Sequence, residues 1–338
     1  MDILKYLARK NLDEFSKNYN YDTNFLGDAL FRKEKTNNLT ARIKQLVKNG
    51  NLPAIAKFAA FNTEAPIGSR EKFEEKYYDK LLIKEKIQVG ETEMYLKNWS
   101  EDEIIDHLYD DMSIETQRVL ARAELANMQV LSTGALTIDE NDFKAQIDYG
   151  YNTDHNVNFT AWNDPKHSIV NDLEDIIAAA KAEGREIRRA VTSAKVVGYM
   201  VKNEELVLAL NSINLAATRK NVLNYILEAY GIDFVENDRL YKIEGGDEAT
   251  HRFFPENKIS FFGDEEFGVG LLAPTPSEMQ NLKAPGETDE RQFVYLDAWS
   301  TKDPAATWTM GSMVYLPLPL DIDNLFIATV TETTVAKA

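Results

Sequence analysis

The only imidazoles in the chain are His107, His155, His167 and His251, and none stands at a spacing that holds a metal. Zinc hydrolases place two histidines one helical turn apart with an acid between them, and no such HExxH pattern occurs. His107, beside Asp106, reads as a surface histidine. Asp172, Glu174 and Asp175 supply the paired carboxylates that acid–base hydrolysis requires. They fall on the outer face of a capped helix, where three acids serve solubility. Gly268-Val-Gly270 lacks the third glycine of a dinucleotide-binding turn, and Pro274 stands where a helix would have to run. Neither a GxSxG elbow nor a phosphate-cradling P-loop is present. With no cysteine, disulfides, thiolate nucleophiles and cysteine-ligated zinc are excluded. We therefore expect no catalytic residue, no cofactor and no metal.

Arg185, Arg188 and Arg189, with Lys195, make one concentrated basic patch. No aromatic residues are interleaved to stack bases, so the patch reads as a rim of ion-pair partners for an acidic neighbour. A net charge of -17 points the same way, because so acidic a surface repels a phosphate backbone. At 338 residues, 44% hydrophobic and 10% aromatic, the chain is an ordered protein of two or three units. No apolar run is long enough to cross a bilayer, and Asp2 and Lys5 interrupt what would be a secretory core.

The element that must organise the rest is the stretch from Ser100 to Gly134. Ser100 and Glu103 have the spacing of a capping box, which satisfies two helix-start amides reciprocally. Ile105, Leu108, Met112, Val119, Ala123, Ala126 and Val130 follow as one apolar stripe, and Gly134 is the stop. Unbroken, this helix reaches about 50 Å; with a new start at Ser113, about 30 Å. Glu101, Asp102, Glu103, Asp106, Asp110, Asp111 and Glu115 crowd its first half, the pattern of a solvated face. The alternative is a spine whose acidic end meets basic groups of another subunit.

Before the spine, residues 1–38 form an arm with an apolar knot, Phe25-Leu26-Gly27-Asp28-Ala29-Leu30-Phe31, too small to bury itself. Residues 39–90 read as a long hairpin or extended loop, with strands at Arg42–Val47 and Leu81–Val89 and charged residues from Arg70 to Lys80 between them. After the spine, a hairpin turns at Asp139–Asp142, and a polar linker runs from Thr153 to Lys166. From Ser168 helices alternate with strands at Ala190–Thr192, Ile232–Val235, Leu240–Ile243 and Lys258–Phe262, the pattern of a sheet flanked by helices. Trp308 to Val330 is strand-like, with Pro317 and Pro319 confining its middle to an edge or bend.

These features resemble the lambda-type (gene E family) major capsid proteins of tailed bacteriophages, which share the Hong Kong 97 coat fold. The residues that carry the likeness are Phe25-Leu26-xx-Ala29-Leu30-Phe31, Phe61-Asn-Thr-Glu-Ala-Pro66, the acidic spine, Asp303-Pro304-Ala-Ala-Thr307-x-Thr309-Met310-x-Ser312, Pro317-Leu-Pro319 and Phe326-Ile-Ala-Thr-Val330. The resemblance implies an α+β coat fold with an arm (1–38) and an extended loop (39–90). It also implies a peripheral domain (91–155 and 296–338, spine about 100–133) and an axial domain (156–295) with a central sheet flanked by helices.

The implied role is a structural one, not an enzyme's: pentamers and hexamers of the chain close into an icosahedral head around double-stranded DNA. The implied partners are copies of the chain, a separate scaffolding protein because the chain has no room for a fused one, a portal at one vertex, in some heads a decoration protein, and packaged DNA through weak non-specific contact. No membrane is involved; the place is the virion, and the host bacterial cytoplasm during assembly. Phe25, Leu26, Leu30, Phe31, Phe58, Phe61, Arg70, Phe73, Arg185, Arg188 and Arg189 are the residues expected to meet neighbouring subunits, whose obligate interfaces typically exceed about 2,000 Å². Some relatives cross-link covalently through a lysine and an asparagine; Lys57 and Lys72 are conceivable in that role, but no partner residue is identifiable for either. Two other readings compete: an encapsulin-like compartment shell with a cargo-peptide groove, and an acid-pair hydrolase with a deep carboxylate-lined pocket.

Overall fold

The computed structural model describes residues 9–18, 25–47, 72–90, 100–140, 143–243, 249–281, 293–303 and 305–331. In chain order the elements begin with α1 (Arg9–Asn18), α2 (Leu26–Leu30), β1 (Phe31–Lys35), β2 (Thr40–Val47), β3 (Lys72–Asp79), β4 (Leu81–Gly90), α3 (Glu101–Thr133), β5 (Ala135–Glu140), β6 (Phe143–Asp148) and β7 (Asn156–Thr160). There follow α4 (Ile169–Ala182), β8 (Arg189–Thr192), α5 (Ala194–Lys202), α6 (Glu204–Ser212), α7 (Arg219–Tyr230), β9 (Asp233–Glu236), β10 (Leu240–Lys242), β11 (Thr250–Arg252) and β12 (Lys258–Phe262). The chain closes with β13 (Gly268–Ala273), α8 (Pro276–Asn281), β14 (Tyr295–Lys302), β15 (Ala305–Pro319) and β16 (Phe326–Thr331). The fold is mixed α+β and falls into two compact units.

The first unit takes its described residues from 9–41, 79–130 and 268–320. Its sheet is built on the 15-residue β15. Along one edge β15 pairs antiparallel with β4, from Ala306 opposite Gly90 to Tyr315 opposite Leu81. Along the other it pairs first with β14 and then, from Val314 to Pro319, with β13, and β1 adds in parallel to β13. Pro317 and Pro319 stand opposite Gly270 and Gly268, beyond Leu81, the first residue of β4. The β4 ladder stops at Tyr315, so a proline ring here interrupts no bond to β4. The expected edge is thus a local one, at the end of a strand that is central elsewhere.

Across this sheet runs α3, a single helix of 33 residues, about 50 Å long. Its capping box is formed: Glu103 accepts from the Ser100 amide at 2.7 Å, and Ser100 Oγ accepts from the Glu103 amide at 3.4 Å. The hydrogen bonds hold the Glu103 carboxyl below the usual carboxylate range. Ser113 does not restart the helix. Its hydroxyl donates back to the Tyr109 carbonyl at 2.9 Å, the mid-helix habit of a serine that is not a cap. The predicted stripe from Leu108 to Val130 is buried, and from Glu115 onward so are Thr116, Leu120, Glu124, Asn127 and Met128, so the lower half is enclosed nearly all round.

The second unit takes residues 42–78, 131–267 and 321–331. Its sheet has the order β7-β16-β12-β8-β9, with β12 antiparallel to both neighbours and the outer pairs parallel. Helices α4 to α7 bury Leu173, Ile176, Val196, Met200, Leu206, Leu210, Val222 and Ile226 with Ile259 and Phe261 of β12. Ser168, Ser193, Asn203 and Thr218 each cap a helix by accepting from the amide three residues on. Asn203 also ends α5, so α6 follows without a loop.

Several expectations are corrected here. The charged stretch before Lys80 is itself a strand: β3 pairs with β2, while β4, the supposed return strand, joins the β15 sheet. The polar linker contains β7, and Trp162 is core, stacked on Phe159 at 5.1 Å. Strand pairing also crosses the expected domain boundaries. β13 lies in the sheet with β14 and β15, and β16 lies between β7 and β12. The cause is that both sheets are completed by strands distant in sequence, which local patterns do not reveal.

Candidate functional site

The knot at 25–31 is where arm, spine and sheet meet within the first unit. α2 lays its backbone on α3: the Gly27 amide donates to both carboxylate oxygens of Glu124, at 3.1 and 2.9 Å. A Cβ on Gly27 would stand 2.0 Å from Glu124 Oε2 and 2.4 Å from Asn127 Nδ2, so any side chain here would have to displace both groups. β1 then carries Phe31 into the sheet, where it is fully buried with Leu30 beside it. The two glycines of β13 are the seats of aromatic rings. A Cβ on Gly268 would meet the Leu318 carbonyl at 2.5 Å and the Phe31 ring at 2.7 Å, and one on Gly270 would meet the Tyr315 ring at 2.8 Å. Tyr315 donates in turn to Asn127 Oδ1 at 2.6 Å, returning to the spine. Gly268→Ala should therefore push β1 off the sheet and cost about 2 kcal/mol. An unshifted urea midpoint for the unassembled variant, with no new proteolysis at 25–35, would contradict this packing.

This arrangement corrects the role expected of Leu30 and Phe31. They are covered by their own chain and cannot be offered to a neighbour. Phe25 and Leu26 remain half-exposed. Phe58, Phe61, Arg70 and the 61–66 motif lie outside the described residues, as does Lys57. Phe73 and Lys72 lie on β3, but their side chains are likewise outside what is described.

At the base of the β2–β3 hairpin Lys80 is buried, and its Nζ donates to Thr36 Oγ1 at 2.5 Å and to the carbonyls of Asn38 and Leu272 at 2.8 Å. Burial pulls this amine down to about 8, with Glu34 opposing it. Three acceptors without a carboxylate make it a clamp between β13 and the segment that links β1 to β2.

The acidic half of the spine is solvated at Asp102, Glu103, Asp106 and Asp110, as a charged face should be. Glu115 departs from that reading. It is 0% exposed, and its Oε1 accepts from the Ile87 amide of β4 at 2.8 Å and from the Thr309 hydroxyl of β15 at 3.1 Å. Its Oε2 has no partner among the described residues. Burial, reinforced by Asp111 and Glu85, pushes this carboxyl up to about 8. Arg118, one turn on, is ion-paired with Glu85.

The basic patch is likewise committed within its own unit. The Arg185 guanidinium is buried among Glu183 at 3.3 Å, Asp321 at 3.3 Å and Asp323 at 3.7 Å. Arg188 pairs with Glu186, Arg189 with Asp233, and Lys195 with Glu256. A rim waiting for an acidic neighbour is therefore not what these residues form; their acids come from the same chain. A shallow cleft beside them is lined by Lys181, Arg188 and Arg189 and by Glu186, Asp233, Asp264 and Glu265, which leaves it without a basic character.

Of the acid trio, Asp172 accepts from Trp162 Nε1 at 2.7 Å and contacts His167 Nε2 at 2.8 Å, while Glu174 and Asp175 are exposed. Asp172 is thus a core partner of an indole, and the three carboxylates do not converge. His155 is buried, stacked on Phe326 at 4.1 Å and bonded to Glu183 and the Leu325 carbonyl. Among the described residues no group of three or more acids and histidines could hold a metal ion, and no helix is long and apolar enough to cross a membrane.

What the arrangement can do is mechanical: a long rigid helix, a hairpin clamped at its root and an arm seated on the same sheet. The family model for phage major capsid protein E matches residues 10–330. The chain belongs to the phage major capsid protein E family. Its fold is similar to that of a candidate capsid protein from a prophage of E. coli CFT073, with a TM-score of 0.62, 15% identity, and 98% of this chain and 99% of that one covered. It also resembles a phage-related protein of Bordetella bronchiseptica RB50, at a TM-score of 0.55 and 14% identity over 95% of this chain and 98% of that one. The mature capsid of bacteriophage PhiM1 follows at 0.51 and 12%, over 94% and 89%. No curated protein sequence matches the chain. As a major capsid protein it is a structural subunit of the virion shell, with the Hong Kong 97 coat fold. Its working surfaces are therefore those that meet other copies.

Proposed function

We propose that the chain assembles into pentamers and hexamers that close into an icosahedral head around double-stranded DNA. The observation that carries this reading is the family match over 321 of 338 residues, 10–330, on a body that has the spine and the clamped hairpin. The first unit acts as the peripheral domain and the second as the axial domain. Strand pairing supports drawing the extended loop more narrowly than 39–90, as the β2–β3 hairpin with the segment between them, because β4 belongs to the peripheral sheet. The arm, 1–38, docks through α1 and the 25–35 segment on its own subunit: Leu12 is buried and Ser16 Oγ donates to the Val294 carbonyl at 2.6 Å.

Contacts between subunits need not be strong one by one, because closing a ring and then a shell makes each further contact intramolecular. A separate scaffolding protein, a portal at one vertex and, in some heads, a decoration protein complete the partners, and assembly takes place in the host bacterial cytoplasm. The charge of -17 suits a wall that touches DNA weakly and without sequence preference. No catalytic step belongs to this role. Native mass spectrometry of gently dissociated shells tests the stoichiometry. Species five and six times the 38.4 kDa subunit are expected, and dimers or trimers alone would contradict it.

A further inference from the structure

The turn between α6 and α7 is an exposed apolar ridge that the fold does not use. While Leu206 and Leu210 of α6 face the core, Leu208 on the opposite side is 69% exposed, and Ile213 and Leu215 in the connection are 54% and 44% exposed. Single exposed leucines are ordinary on a soluble protein; three within eight residues, beside Ala216, are a patch. The ridge is also rigid. The Ile213 and Leu215 amides donate to the Leu210 carbonyl at 3.1 and 3.0 Å, Asn214 takes a φ of 60°, and Asn221 Nδ2 donates to the Ala216 carbonyl at 2.8 Å. A surface already held in one conformation loses little entropy on docking.

Charge decides the occupant. Residues 207–218 contain no charged side chain, in a chain where 28% are charged and each copy carries -17. Copies this acidic repel, so they approach most easily where charge is missing. The ridge is flanked by opposite charges, Glu204 opening α6 and Lys220 in the first turn of α7, both exposed and without an ion-pair partner among the described residues. An acid at one end and a base at the other suit a head-to-tail contact, in which one copy's acidic end meets the next copy's basic end around a closed ring.

We propose that the 207–218 ridge is a contact between copies of this chain inside the capsomer. The proposal rests on the assembly reading above. Because the chain has no cysteine, Leu208→Cys and Leu215→Cys each introduce the sole thiol. In assembled shells the maleimide labelling of either thiol should be at least about tenfold slower than in the unassembled variant, since a covered thiol reacts slowly. Labelling at the monomer's rate in intact shells would overturn the proposal while leaving shell formation standing. If the parent chain forms no shell, the assembly reading falls and takes this contact with it.

Charge reversal gives a second readout. Glu204→Lys alone and Lys220→Glu alone should each lower shell yield, and the double exchange should restore it. A double variant no better than the singles, with all three folded, counts against the head-to-tail contact.

Discussion

Glu115→Gln is expected to stabilise the unassembled chain above pH 8 and to flatten its pH dependence. In the native protein this buried carboxyl has been pushed from an ordinary 4.5 to about 8, so between those values folding takes up a proton. A group whose native value is raised stabilises the fold fully below its unfolded value. That contribution is lost as pH rises through about 8, where the native carboxyl must ionise against burial and against Asp111 and Glu85. Glutamine keeps an oxygen for the Ile87 amide and the Thr309 hydroxyl but never acquires the charge. Each tenfold change in proton affinity is worth about 1.4 kcal/mol, so the gain at pH 9 should be on the order of a few kcal/mol. Urea unfolding of both chains at pH 6 and pH 9 checks it. Equal differences at the two pH values would mean that Glu115 is ionised in the native state throughout.

The second large effect is expected at Arg185. Its guanidinium is buried while the three surrounding carboxylates are partly exposed, and His155 shares Glu183 with it. Arg185→Met fits the space and removes the charge that holds Asp321 and Asp323 against the second unit's core. Because those acids can rehydrate, we expect a loss of about 2–3 kcal/mol, below the roughly 3–5 kcal/mol of a fully enclosed pair. Arg188→Ala should leave the urea midpoint unchanged, since Arg188 and Glu186 are both exposed. The measurement belongs on the unassembled chain. An Arg185→Met variant as stable as the parent, yet defective in assembly, would return this residue to the subunit interface where sequence alone places it.

Arg185 marks the limit of what is legible in the sequence. Caps and periodicity are local, and Ser100, Ser168, Ser193 and Thr218 announce their helices because each satisfies amides within three residues. Burial of charge is not local. Glu115 looks like one more acid in a solvated row until β4, 28 residues before it, and β15, 194 residues after it, close over it. Glu124 is likewise explained only by Gly27, 97 residues away. That Gly268 and Gly270 do not make a nucleotide-binding turn is plain from spacing, but their work as seats for Phe31 and Tyr315 follows from strand register.

The apolar knot does not bury itself, as its size requires. What covers Leu30 and Phe31, however, is the subunit's own sheet and spine, and the demand for neighbouring copies passes to surfaces such as the 207–218 ridge.

Negative-stain electron microscopy of the purified chain, with and without a co-produced scaffolding partner, tests the capsid account most directly. Closed shells of uniform diameter are the predicted result. A particle that stays a 38.4 kDa monomer at every concentration, alone and with the partner, would contradict it.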